Sequence, residues 1–286
     1  MERAPDDIEL EGIELDLFVE AMRRRHGYDF GRYAPASLLR RVRQLAADLG
    51  GGAISALTHR LLHEPELLPQ LLEGLSVPAS DMFRDPSVFR ALREQVLPLL
   101  ASYPQITIWQ AGCAHGEEVY SLAILLEEAG LYERSQIFAT DLSTRALEQA
   151  REGIYPLRSA QQWSRNYLAA GGSHSLAGYC SARYGLLKLD RRLRRNVTFA
   201  QHNLAADGVF CEAQLVLCRN VLIYFANPLQ QHCLALFRDS LVRGGFLCLG
   251  LRERPDAGEA AADFAPVDAN LRIYRRIGAA ATVLRP

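Results

Sequence analysis

The chain has 286 residues, with 32 Lys and Arg against 33 Asp and Glu and a net charge of -1. That length supports one large or two modest domains with a sizeable core. The neutral balance argues against bulk nucleic-acid binding, and hydrophobic content of 49% with 23% charged residues is that of an ordinary globular protein.

No apolar run reaches the roughly 18 residues of a membrane span. The acidic N-terminus carries no apolar signal region, so a cytoplasmic location is expected. The six cysteines, at 113, 180, 211, 218, 233 and 248, form no C-x-x-C pair, which points to reduced thiols and no metal site.

In chain order, Leu15, Phe18, Val19 and Met22 recur at helical spacing, and the first helix ends near Gly27. A second helix is predicted from about Ala36 to Leu49, stopped by Gly50, Gly51 and Gly52. A third runs from Ile54 to His63 and a fourth from Pro65 to Gly74. With no strand pattern among them, residues 1–80 are expected to form a small all-α N-terminal domain, and residues 81–286 a second domain. That second domain opens with an amphipathic helix, Ser87 to Leu100, presenting Val88, Leu92, Val96 and Leu99 on one face.

Strands predicted at 106–109, 136–140, 197–201, 214–218 and 246–250 then alternate with helices near 117–130, 143–152 and 228–241. Such alternation implies an α/β fold with a mostly parallel, Rossmann-like sheet covered on both faces. Short apolar strands such as 215–218 fit burial on both sides. Residues 171–195 break the pattern with glycines and two period-2 runs, and read as a small antiparallel β insertion, a subdomain at about 171–200.

The chemistry begins where the strand ending at Trp109 runs into Gly112, Cys113, Ala114, His115 and Gly116, followed by Glu117 and Glu118. The next strand closes on Asp141. Strand, small-residue turn, helix, strand and terminal acid make a βαβ nucleotide unit. The glycines are spaced G-x-x-x-G rather than G-x-G-x-x-G, and two acids stand where a pyrophosphate would want a bare helix N-terminus. This opposes a nicotinamide oxidoreductase and favours a nucleoside bearing a cationic group.

Asp141 can accept both hydroxyls of a ribose, or cap the helix that follows. One of Glu117 and Glu118 can face a ligand, while acids at a helix start are common in any case. Asn203 and Leu204 lie at the carboxyl edge of the sheet, although an asparagine there is also a turn residue. Arg219, at the end of an apolar strand and followed by Asn220, needs a partner, either a structural carboxylate or a ligand acid. Tyr224 stands five residues on. Arg84, in the linker S-D-M-F-R-D, reads by itself as a solvated arginine near Asp81 or Asp85. His59 and His63, four apart, read as surface or packing residues. The basic runs at Arg23 to Arg25, Arg40, Arg41 and Arg43, and Arg191 to Arg195 read as solvated faces or as docking sites for an acidic partner.

In order, these segments resemble the chemotaxis receptor methyltransferases, the CheR family of protein-glutamate O-methyltransferases. The likeness runs through S-L-L-R-R-V-R-Q-L-A (37–46), F-R-D-P (83–86), W-x-A-G-C-x-x-G-E-E-x-Y-S-L-A (109–123) and the A-T-D strand end (139–141). It continues through A-R-E-G-I-Y-P (150–156), N-L (203–204), C-R-N-V-L-I-Y-F (218–225) and an L-x-x-G-G-F-L-x-L-G hairpin (241–250). The resemblance implies a Rossmann-like S-adenosylmethionine-dependent methyltransferase domain with a β insertion that docks on a receptor. It implies transfer of a methyl group to receptor glutamates, with S-adenosylhomocysteine as product. Arg84 and Tyr224 would be catalytic, Arg84 facing the reacting methyl. Ser80 would lie near the methionyl end, Glu118 would hold the amino group and Asp141 the ribose. Asn203 and Leu204 would line the adenine, and Arg219 and Asn220 the other flank. The expected partner is the helical cytoplasmic domain of a chemoreceptor, met by a monomer recruited to receptor arrays at the inner membrane.

Departures are visible. Ser80 replaces the usual threonine, Pro78 stands where some members have an asparagine, and Ala114 and His115 replace Ser-Thr. The last motif, usually G-H-S-E, reads Gly250, Leu251, Arg252, Glu253. These leave an alternative, a non-catalytic sensor or scaffold that binds the same cofactor.

Overall fold

The computed structural model describes residues 5–49, 51–76, 80–255 and 259–278. Pro78, noted above, lies outside the described residues, as does Gly50. Four helices come first: α1 (Pro5–His26), α2 (Pro35–Leu49), α3 (Ile54–His63) and α4 (Leu68–Leu75). Their apolar stripes meet in one cluster that includes Phe18, Met22, Val42, Leu57 and Leu71. Its contacts recur three and four residues apart, the geometry of one helical face.

After the linker come α5 (Pro86–Ala91), a π-turn (Leu92–Val96) and α6 (Leu97–Leu100). A single helix was expected here. Pro98 cannot donate the backbone bond a regular helix needs, and the wider turn just before it accommodates the loss.

The main sheet has seven strands in the order β6-β2-β1-β7-β8-β10-β9. These are β1 (Ile106–Ala111), β2 (Ser135–Asp141), β6 (Val197–Gln201), β7 (Ala213–Cys218), β8 (Leu241–Leu249), β9 (Phe264–Asp268) and β10 (Ile273–Arg276). The first five are parallel, and β10 runs antiparallel to both β8 and β9. One apolar layer packs with α7 (Glu117–Glu128), the other with α10 (Asn227–Ser240). Strand order reverses at β1, which sits between β2 and β7, and ligands of open α/β sheets bind at such a point, beyond the strand carboxyl ends.

Two expectations need correction. The hairpin at 241–250 is instead one strand whose register against β7 slips between Leu241 and Phe246, a bulge and not a reversal. The β insertion is a three-stranded antiparallel sheet in the order β3-β5-β4: β3 (Ile154–Pro156), β4 (Cys180–Arg183) and β5 (Leu186–Leu189). It therefore starts before residue 171, with α9 (Ala160–Ala169) between its first two strands, and 197–200 belongs to the main sheet. The strands β9 and β10 had no counterpart in the sequence reading.

Gly116 shows why the turn after β1 needs glycine. Its φ is +89°, and a Cβ there would lie 2.8 Å from the Cβ of Ala150 on α8 (Thr144–Glu152). The absent side chain thus serves helix packing and not ligand approach. Gly116→Ala is expected to cost about 2 kcal/mol through strain and overlap. Urea denaturation reads this directly; an unchanged midpoint would contradict it.

Candidate active site

All nine site residues singled out from the sequence line a single cleft. Ser80 and Arg84 come from the linker, Glu118 from the first turn of α7, and Asp141 from the end of β2. His202, Asn203 and Leu204 follow β6, and Arg219, Asn220 and Tyr224 follow β7. The crossovers bring these carboxyl ends to one edge, and the first four helices close the other side.

Asp141 is half-buried. Its Oδ2 accepts from the amide of Ala114 at 2.8 Å and its Oδ1 from Ser143 at 2.9 Å. The helix cap proper is Ser143, whose hydroxyl accepts from Ala146. Asp141 thus braces the glycine loop, and burial raises its pKa although these backbone bonds oppose the shift. Asn203 keeps its turn role, its Oδ1 accepting from Ala205 at 3.0 Å, while still lining the cleft.

The deepest charges form an array. Arg219, 6% exposed, donates from Nη1 to Glu118 and from Nη2 to Asp85 at 2.7 Å. Its partners are two carboxylates of this chain, which answers the question the sequence left open. Burial acts to lower the Arg219 pKa, but the two carboxylates outweigh it and keep the guanidinium charged. Burial acts on Glu118 in the opposite sense, raising its pKa against the pull of Arg219. Gln110 donates from Nε2 to the other oxygen of Glu118 at 2.9 Å.

Backbone strain collects here. Among the described residues, six other than glycine have positive φ, and four of them surround the cleft: Phe83 and Asp85 flanking Arg84, Ala114 in the glycine loop, and Asn220. Such conformations persist only where neighbours hold them, and they concentrate at working sites. Phe83 is held by its amide bond to Ser121 Oγ, at 2.9 Å. Asn220 is held by Glu253, which is 4% exposed and accepts from the amides of Asn220 at 2.9 Å, Ile223 at 3.3 Å and Gly250. The altered final motif therefore keeps its interacting group; Leu251 and Arg252 make none of these bonds.

The sequence missed several lining residues. Tyr33 and Arg41 reach in from the helical segment. Arg41 had been read as part of a basic surface run, yet it is 7% exposed, lies 4.0 Å over the Tyr224 ring and donates to the Leu75 carbonyl. Arg40, next to it, is exposed, and helical phase was the available signal. The backbone also joins the two parts, with Ala34 N donating to Tyr224 O at 2.9 Å and Ala226 N to Arg32 O at 3.0 Å. Cys113 and His202 also line the cleft. Burial holds the Cys113 thiol well above its usual range, so it is protonated and no base.

Orphaned polar atoms test whether a polar ligand belongs here. Among the described residues nine buried side-chain atoms lack a hydrogen-bond partner, and five sit on cleft residues: Arg41 Nε and Nη2, Gln110 Oε1, His202 Nδ1 and Arg219 Nε. Native interiors leave few such atoms. Their concentration here fits a ligand carrying both donors and acceptors.

Residues 79–269 match the SAM-binding domain of the CheR methyltransferases, and residues 13–76 their all-alpha domain. The chain belongs to the CheR methyltransferase family. It is 47% identical over 92% of its length to a Pseudomonas putida protein, Cher3, whose name places it among the methyltransferases, and it covers 97% of that protein. It is 29% identical to a chemotaxis protein methyltransferase of Listeria monocytogenes, over 83% of this chain and 88% of the other. With that of Salmonella typhimurium it shares 31% identity over 76% and 73% of the two chains. The cofactor is S-adenosylmethionine, and the orphaned atoms and carboxylates of the cleft suit its amino, carboxylate and ribose groups. No helix among the described residues is long and apolar enough to cross a membrane.

One acid of the E-E pair, Glu117, is not among the lining residues of the cleft. Glu117 is 7% exposed, and burial pushes its pKa from 4.5 up to about 7, against a bond from Ser80. A carboxyl with a raised folded pKa contributes stability below its unfolded value that is lost as pH rises through the folded one. The window is about pH 4.5 to 7. Glu117→Gln is therefore expected to be more stable to urea than wild type by up to about 3 kcal/mol at pH 8, and by less than about 1 kcal/mol at pH 5. Equal shifts at both values would contradict this assignment.

Proposed function

We propose that this methyltransferase esterifies glutamate side chains on the helical cytoplasmic domain of a chemoreceptor. The observation that carries the reading is the convergence of Arg84 and Tyr224 on the cleft that also holds Glu118 and Asp141. Relatives named as chemotaxis protein methyltransferases support the receptor as partner. On this reading residues 1–80 and 81–286 act as two domains around one cofactor.

Bound in the cleft, S-adenosylmethionine supplies a methyl group on a cationic sulfur. Asp141 accepts from the ribose hydroxyls and Glu118 from the amino group. Asn203 and Leu204 take the adenine, Ser80 lies by the methionyl end, and Arg219 and Asn220 form the opposite flank. Arg84 and Tyr224 orient the incoming carboxylate. A glutamate with a pKa near 4.3 is already ionised at neutral pH, so the chain needs no general base. This agrees with a protonated Cys113. The protein's contribution is alignment and exclusion of water, effects that supply several kcal/mol. Arg84 must orient the carboxylate without quenching it, because only contacts that strengthen in the transition state speed the step.

The test is transfer of radiolabelled methyl from S-adenosylmethionine to a soluble receptor cytoplasmic fragment. The label should be released as methanol in mild base, the signature of an ester; a base-stable label would contradict the proposal. Arg84→Ala should abolish transfer while S-adenosylhomocysteine affinity stays within about tenfold. Asp141→Ala should weaken that affinity by about tenfold or more in calorimetry. Unchanged turnover in the first variant, or equal affinity in the second, would remove the corresponding role.

A further inference from the structure

Gln110, the penultimate residue of β1, has no counterpart in the resemblance, where its position in W-x-A-G-C is open. It is 2% exposed and lines the cleft. Its amide orientation is fixed by chemistry: the neighbouring Glu118 carboxylate can only accept, so the NH₂ group must face it, as the 2.9 Å bond shows. The carbonyl Oε1 is then forced to the other side, where no donor among the described residues meets it. An unmet buried amide oxygen costs about 1–3 kcal/mol.

The missing partner is a donor in the cleft, within one amide group of Glu118. Of the two charged groups at the methionyl end of S-adenosylmethionine, the carboxylate can only accept, whereas the ammonium carries three N–H donors. Arg219 supplies the positive charge at this end and has an orphaned Nε. Glu118 supplies the negative charge, and each of its oxygens keeps accepting capacity beyond its bonds to Gln110 and Arg219. A neutral amide oxygen adds a second acceptor for the ammonium without setting another like charge against Glu118.

We infer that Gln110 forms the cofactor's ammonium seat together with Glu118, its Oε1 accepting one N–H while its Nε2 fixes the carboxylate. The inference rests on the assignment of the amino end to Glu118 and adds a residue that discriminates ligands bearing an amino-acid tail from those without one.

Calorimetry with two probes separates the possibilities. S-adenosylhomocysteine carries the ammonium; methylthioadenosine shares the nucleoside and sulfur but has no amino-acid tail. Gln110→Leu, close in size, is expected to weaken S-adenosylhomocysteine about tenfold, the equivalent of one buried hydrogen bond. Methylthioadenosine should stay within about twofold. Gln110→Asn, which keeps the amide but shortens its reach, should show the same split and guards against a folding defect in the first variant. Equal weakening of both probes would make Gln110 a structural support, and an unchanged S-adenosylhomocysteine affinity would remove it from the seat; either overturns the inference. Wild-type protein with affinity for neither probe would instead overturn the assignment of the cleft.

Discussion

A buried guanidinium between two carboxylates organises this protein. Arg219 joins Glu118, from the helix after β1, to Asp85, from the linker that carries Arg84. Burying Arg219 or Glu118 alone would be prohibitive, and removing one partner from such a set leaves an uncompensated charge. The linker is therefore tied to the strand ends through charge as well as chain connectivity. Because Asp85 sits at positive φ, its ion pair also helps to hold the backbone that presents Arg84.

The same economy governs the opposite wall. The segment after β7 carries Arg219, Asn220 and Tyr224 into the cleft, and separate groups fix it from three directions. Glu253 gathers two of its amides and that of Gly250, sharing its two oxygens among Asn220, Ile223 and Gly250. Arg41 covers the Tyr224 ring, and residues around Tyr33 pair with the backbone at Tyr224 and Ala226. The helical segment is thus a wall of the cleft and not merely its neighbour.

Much of this was legible in the sequence. The parallel strands were visible because fully buried strands are continuous apolar runs, and Asp141 and Arg219 stood out because charged residues rarely end such runs without purpose. Other features were hidden for physical reasons. The short strand β3 lies far in sequence from its partner β5, so no local pattern announces it. The bulge in β8 and the turn residues of a hairpin share the same glycines. Arg41 looked like part of a solvated run because charge patterning does not reveal which side of a helix another segment will cover. Gln110 was silent because a glutamine in a strand draws meaning only from the carboxylate that its fold places beside it.

The central claim is that one cleft, set by the Glu118–Arg219–Asp85 array, receives S-adenosyl ligands in a defined direction. A crystal structure of the protein with S-adenosylhomocysteine tests it most directly. The account predicts the ribose hydroxyls on Asp141, the amino group on Glu118, the sulfur near Arg84 and Tyr224, and Arg219 still bridging its two carboxylates. A ligand bound in the reverse direction, or elsewhere on the molecule, would contradict it.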